Sequence, residues 1–157
     1  MKQLFLLLIA FVFLSSVNAQ NQAKTKQAMY VNINIDIAYT DKAGNDLLDA
    51  NNDNHFDAKD ITIYNMVNGE KIKVNKPGRD YPNNHFIFKD EAAKTNYLRV
   101  FLETEMVLVQ LNATTTDTIK CTLKKTKGNT HIEKVWYNGK CVFKYGKTVS
   151  QAITIVK

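Results

Sequence analysis

Met29-Tyr30-Val31-Asn32-Ile33-Asn34-Ile35-Asp36-Ile37-Ala38-Tyr39 is the stretch that decides the fold. Apolar side chains recur at every second position from Met29 to Tyr39, while Tyr30, Asn32, Asn34, Asp36 and Ala38 fill the alternate places. Successive side chains of a strand point to opposite faces, so a period of two marks a strand with one face in a core and one in water. Working outward, shorter runs of the same character fall at 61–67, 71–74, 85–88, 97–103, 106–111, 118–125, 131–137, 140–145 and 149–156. Many short strands at close spacing indicate antiparallel sheets.

The punctuation agrees. All six glycines, Gly44, Gly69, Gly78, Gly128, Gly139 and Gly146, sit between apolar runs. Asn68-Gly69 and Asn138-Gly139 are the dipeptide that a two-residue type I′ hairpin requires, because both central residues take positive φ. Pro77 and Pro82 fall within 76–82, which reads as a connection between sheets, since proline cannot donate to a strand ladder. The one helix-like stretch is 90–94, Asp-Glu-Ala-Ala-Lys, a turn or two at most. The expectation is an all-β chain, an antiparallel two-sheet sandwich of immunoglobulin-like type with at most one short helix; a closed β-barrel is the alternative. A single domain is expected over 29–157, after a flexible lead at 20–28.

The first 19 residues have the pattern of an export signal: Met1-Lys2, an unbroken apolar run from Leu4 to Leu14, then Val17-Asn18-Ala19 before Gln20. Cleavage after Ala19 is expected. The apolar run is far shorter than the roughly 20 residues that span a bilayer, so no transmembrane segment is expected in the mature chain. A bacterial lipid anchor needs cysteine at the new N-terminus, where this chain has Gln20, so none is expected. Secretion or periplasmic residence follows. The net charge of +6 is a mild excess, one less without Lys2, and its densest cluster, Lys120, Lys124, Lys125 and Lys127, reads as a solvated hairpin arm. No arginine-rich tract or recognition helix accompanies it, which argues against nucleic acid as a partner.

Cys121 and Cys141 invite a disulfide in an exported protein. If the first hairpin turns at Gly128-Asn129 and the second at Asn138-Gly139, both cysteines lie opposite Trp136, two strand spacings or about 9.5 Å apart. A disulfide needs Cα atoms within about 4.4–6.8 Å, so two free, buried thiols are expected beside a core tryptophan. Phe86, Phe88, Phe101, Trp136 and Phe143 alternate with polar residues as core positions do. Tyr30, Tyr64, Tyr81, Tyr97 and Tyr137 are the candidates for exposure, and a flat row of tyrosines could stack on sugar rings.

The one constellation with metal chemistry runs from Asp49 to Asp60. Asp49, Asn51, Asp53 and Asp57 occupy positions 1, 3, 5 and 9 of a twelve-residue loop, His55 the carbonyl position 7, Phe56 the apolar position 8 and Asp60 position 12. The spacing resembles the calcium loops of EF-hand and dockerin modules, which makes calcium the candidate cofactor. It departs from them at Asn54, where position 6 is normally glycine, and in lacking flanking helices. The competing explanation is that Asp and Asn make turns by bonding nearby amides. Catalytic patterns are missing: Ser150 is the only serine after the leader and has no elbow motif, and His55, His85 and His131 are scattered. A non-enzymatic chain is expected. Asn112-Ala113-Thr114 is a glycosylation sequon, meaningful only in a eukaryotic source.

The order of short motifs is itself informative: Gly44-Asn45-Asp46-Leu47-Leu48-Asp49, Asp60-Ile61-Thr62-Ile63-Tyr64, Asn68-Gly69-Glu70, Asp117-Thr118-Ile119 and Lys134-Val135-Trp136-Tyr137-Asn138-Gly139-Lys140. The chain resembles the small exported proteins and lipoproteins of unassigned function that are abundant in Bacteroidota. The resemblance spans roughly residues 29 to 145 and implies a β-sandwich in the cell envelope or outside it, with no activity and no site residues. A binding module for a protein or a glycan is the leading expectation, a calcium-stabilised structural domain the second, and a hydrolase with an unrecognised site the third.

Overall fold

The computed structural model describes residues 30–148 and 150–157. The expected signal segment 1–19, the expected lead 20–28 and Met29 lie outside the described residues. The fold is all-β, two sheets stacked as a sandwich, and not a closed barrel.

The larger sheet contains β1 (Tyr30–Asn32), β3 (Thr62–Val67), β4 (Glu70–Lys73), β7 (Met106–Gln110), β8 (Thr116–Thr126), β9 (Asn129–Tyr137) and β10 (Lys140–Lys144). Its order is β1-β9-β8-β7-β3-β4, with β1 and β10 sharing the outer edge of β9. The smaller sheet has the order β11-β2-β6-β5, from β2 (Asn34–Thr40), β5 (His85–Asp90), β6 (Thr95–Phe101) and β11 (Ala152–Val156). Among the described residues no helix is long and apolar enough to cross a membrane.

Turn chemistry sets the registers. Asn68 and Gly69 have φ of 52° and 85°, Asn138 and Gly139 of 46° and 82°, the positive values a type I′ turn needs. The helix-like 90–94 is the reversal between β5 and β6: the Asp90 carboxylate accepts the N–H groups of Ala92 and Ala93, and Asp90 pairs with Thr95 across the hairpin. Pairing is not antiparallel throughout. β1 runs parallel to β9 and β11 parallel to β2; neither terminal strand is joined to its partner by a hairpin, the connection that makes neighbours antiparallel.

The core lies between the sheets. Ile35, Ile37, Leu98 and Val100 of the smaller sheet meet Ile63, Val107, Val109, Ile119, Ile132 and Val135 of the larger one. All but the β9 pair follow the alternation of their strands; Ile132 and Val135 are three residues apart because β9 carries an extra residue, Glu133, between them. The basic cluster Lys120, Lys124, Lys125 and Lys127 lies exposed along the β8–β9 arm.

The cysteines are both free, but not both buried. The β8–β9 turn falls one residue earlier than Gly128-Asn129, with Thr126 paired to Asn129, and a β-bulge between Thr122 and Leu123 then shifts the register back by one. Cys121 therefore pairs with Val135 and faces the core, while Trp136 pairs with Lys120 on one side and Cys141 on the other, outside it. Trp136 is not a core residue, and the two thiols are on opposite faces of the sheet. Burial pushes the Cys121 thiol up to about 11, and its Sγ lies 3.4 Å from the Thr104 carbonyl. Thiolate is the reactive form. A maleimide at pH 7.5 is thus expected to label one thiol in the native protein, two after denaturation, and none in native Cys141→Ser, as read by intact-mass spectrometry.

Candidate functional site on the outer face of the smaller sheet

On β5 and β6 the large apolar side chains that do not enter the core are aromatic. Ile87 pairs with Leu98, and both face inward. Phe86, Phe88, Tyr97, Arg99 and Phe101 consequently stand on the opposite, outer face, joined there by Asn34 and Asp36 of β2. Phe86, Phe88 and Phe101 are half-buried and belong to this outer face, not to the core; Phe143 alone of the expected phenylalanines and tryptophan is a core residue. Tyr137, expected to be exposed, is buried.

These side chains pack on one another. Tyr81, from the connection after β4, stacks on Phe86 with ring centroids 4.2 Å apart and planes 17° apart, and lies 5.7 Å from Phe101. Phe88 is 5.8 Å from both Phe86 and Tyr97. The Arg99 guanidinium sits over Phe88 at 4.8 Å and Phe86 at 5.7 Å. It donates through Nε and Nη2 to the two Asp36 oxygens, both at 2.7 Å, a bidentate pair. Each charge in the middle of the face thus has its partner in place. Tyr81 remains 42% exposed.

The connection that carries Tyr81 is anchored at its other end by Glu103, which accepts from Lys76 and, at 2.8 Å, from Arg79. Between this anchor and the sheet is an open depression of about 450 Å³, lined by Val31, Asn34, Arg79, Tyr81, Asn84 and Phe101 among others. Asn84 is only 3% exposed and holds φ at 56°, and its carbonyl accepts the Phe101 N–H. Its side-chain Nδ2 has no hydrogen-bond partner among the described residues. A buried donor without an acceptor costs about 1–3 kcal/mol.

No family model, curated protein or solved structure matches the chain.

The expected metal residues lie elsewhere, on the loop between β2 and β3. Asp49, Asn51 and Asp53 line one shallow, polar depression with Asp46 and Asn52. Asp49 is engaged by its own loop, accepting from the Asn51 N–H at 3.0 Å and the Asn51 side-chain amide at 2.8 Å. Those bonds hold its carboxyl below the usual range. Asp57 accepts the Lys59 N–H and pairs with the Lys59 ammonium, and His55 Nδ1 lies 2.7 Å from the Asn52 carbonyl. Asp60 is exposed where the chain turns into β3. Phe56 does tie the loop to the core, packing edge-on to Tyr39 at 5.8 Å. Asp49, Asn51 and Asp53 are brought together; His55, Asp57 and Asp60 do not line that depression. Calcium binding by this loop therefore rests on the spacing of its residues. A residue the spacing did not single out, Asp46, does the anchoring: it accepts the Leu48 N–H and both the N–H and side-chain amide of Asn96 on β6.

The remaining titratable cluster is a tie between strands. Lys157 Nζ lies 2.6 Å from both oxygens of Asp117, Tyr137 donates to the same carboxylate, Asn138 Nδ2 donates to it at 2.8 Å, and the Tyr39 and Tyr137 hydroxyls are 3.2 Å apart. Burial above all holds both phenols protonated far beyond their ordinary range. Asp117 is 2% exposed, so the cluster joins β2, β8, β9 and the chain end without access for a substrate. Ser150 Oγ accepts the Ala152 N–H, a turn role.

Proposed function

We propose that this protein is an exported, non-enzymatic binding module whose partner, a protein or a glycan, docks on the outer face of the β11-β2-β6-β5 sheet. The observation that carries the reading is the placement of Tyr81, Phe86, Phe88, Tyr97 and Phe101 outside the core, beside an open depression that Tyr81 and Phe101 help to line. Aromatic rings contribute large contact area at low conformational cost, and they dominate recognition surfaces. The charges on the face are paired with one another, which favours an uncharged partner surface, such as the C–H faces and hydroxyls of a sugar, over a polyanion. Export is supported by the leader at residues 1–19 and by the resemblance to small exported Bacteroidota proteins.

The test is a glycan array probed with the purified exported chain, followed by calorimetric titration of the strongest hit. Tyr81→Ala and Tyr97→Ala should each weaken that binding about tenfold or more, while Lys125→Ala on the β8–β9 arm leaves it unchanged. Binding that survives both face substitutions contradicts the assignment.

A further inference from the structure

The four edges of the two sheets are not alike. β4 ends the larger sheet and carries Glu70, Lys71 and Lys73; β5 ends the smaller one and carries His85, Lys89 and Asp90. On the far side of β9, β10 brings Lys140 and Lys144, and β1 is three residues long. Charges and short length are the devices that keep a sheet edge from pairing with another chain. β11 has neither. Its residues, Ala152-Ile153-Thr154-Ile155-Val156, hold no charge and are mostly β-branched, and among the described residues its outer edge has no strand partner. The cation that follows, Lys157, does not guard the edge, because its ammonium is turned inward to Asp117.

The register fixes which backbone groups that edge offers. The Gln151 carbonyl accepts the Asp36 N–H, and the Lys157 N–H donates to the Thr40 carbonyl. Odd-numbered residues of the strand thus turn their peptide groups toward β2, and Ala152, Thr154 and Val156 turn theirs away. The Ala152 N–H is taken by Ser150 Oγ. The sequence is near-palindromic about Thr154, with isoleucine on each side and a small and a larger apolar residue at the ends.

We infer that β11 pairs antiparallel with β11 of a second copy of this chain, about a two-fold axis through Thr154. An isologous contact of this kind needs a self-complementary edge, and this one qualifies on each count. The two Thr154 residues exchange N–H···O=C bonds, and each Val156 N–H meets the Ala152 carbonyl of the other copy. Ile153 falls opposite Ile155 on the inner face, Thr154 opposite Thr154 on the outer, and Val156, 61% exposed in the single chain, lies beside the small Ala152. No like charges oppose one another. The axis is perpendicular to the sheet, so the result is a continuous eight-stranded sheet with both aromatic faces on the same side. The pairing stands on the edge alone, whatever docks on those faces.

One five-residue strand buries less than the 1,200–2,000 Å² or so of a standard interface, so the dimer is weak, with Kd on the order of 10–100 µM. Sedimentation equilibrium of the purified exported chain across about 1 µM to 1 mM should show monomer giving way to dimer. The Thr154 side chain is on the solvent face, so T154K and T154E leave the single-chain fold and its melting curve intact. Each alone places like charges across the axis and should weaken the dimer about tenfold or more, whereas an equimolar mixture of the two should restore it. A wild-type chain that stays monomeric at the top concentration, T154K dimerising as tightly as wild type, or a mixture no tighter than its components would each overturn the inference.

Discussion

Asp117→Ala is expected to lower folding stability by about 3–5 kcal/mol, the usual loss when one partner of a buried charged pair is removed. Tm should fall by about 10–20 °C for a chain of this size. The carboxylate is the common acceptor for Lys157, Tyr137 and Asn138. Without it an ammonium that is mostly covered and a buried phenol keep their desolvation cost and lose their acceptor. Four chain segments distant in sequence loosen together: β2 through Tyr39, β8 through residue 117, β9 through Tyr137, and the end of β11 through Lys157. The same network predicts alkaline sensitivity. A phenol whose folded-state value is raised favours the fold fully below its ordinary value near 10, and that contribution is lost as pH rises above it. Thermal melts of wild type at pH 8 and pH 11 should therefore differ, with the lower Tm at pH 11.

Leu98→Ala should be comparably damaging, about 2–5 kcal/mol, because the lost methyl groups leave a cavity that close packing closes only in part. Leu98 is fully enclosed, at the centre of β6, facing the larger sheet. Its cross-strand neighbour Ile87 shares that face, so the void would open between the sheets and not at a rim. Phe88, next along β5, is a larger side chain and yet should cost only about 1–2 kcal/mol when cut to alanine. Its ring lies outside, against Phe86, Tyr97 and Arg99, where water can fill the space left behind.

That contrast marks the limit of what was legible from residue order. Strand β2 was readable outright, since its alternation is unambiguous from Ile33 to Tyr39. β5 was not: His85-Phe86-Ile87-Phe88 holds three consecutive apolar residues, and the two larger ones outweigh the isoleucine in any reading by size. Pairing with β6 decides otherwise, through Ile87 opposite Leu98. A signal was present in β6, where Tyr97 and Phe101 share the parity of Arg99, a residue seldom turned into a core without a partner. Asp117 had a similar one, an acid in step with Ile119 and Cys121 on an apolar face, but its partners at 39, 137 and 157 are brought to it only by the folded topology. The β-bulge left no trace in composition: its extra residue, Glu133, lies in β9 between Ile132 and Lys134, and it is what puts Val135 and Tyr137 on the core face and turns Trp136 outward. The loop from Asp49 to Asp60 was legible as a loop, with Phe56 as its tether; that Asp46 fastens it to β6 depends on a contact fifty residues away.

Equilibrium urea denaturation of Leu98→Ala beside Phe88→Ala bears on the central assignment more directly than any other experiment. With the aromatic face outside the sandwich, the leucine variant loses more stability than the phenylalanine variant by at least about 1 kcal/mol, at unchanged m-value. A phenylalanine variant as unstable as the leucine one, or more so, would put Phe88 inside the core and remove the face on which binding is proposed.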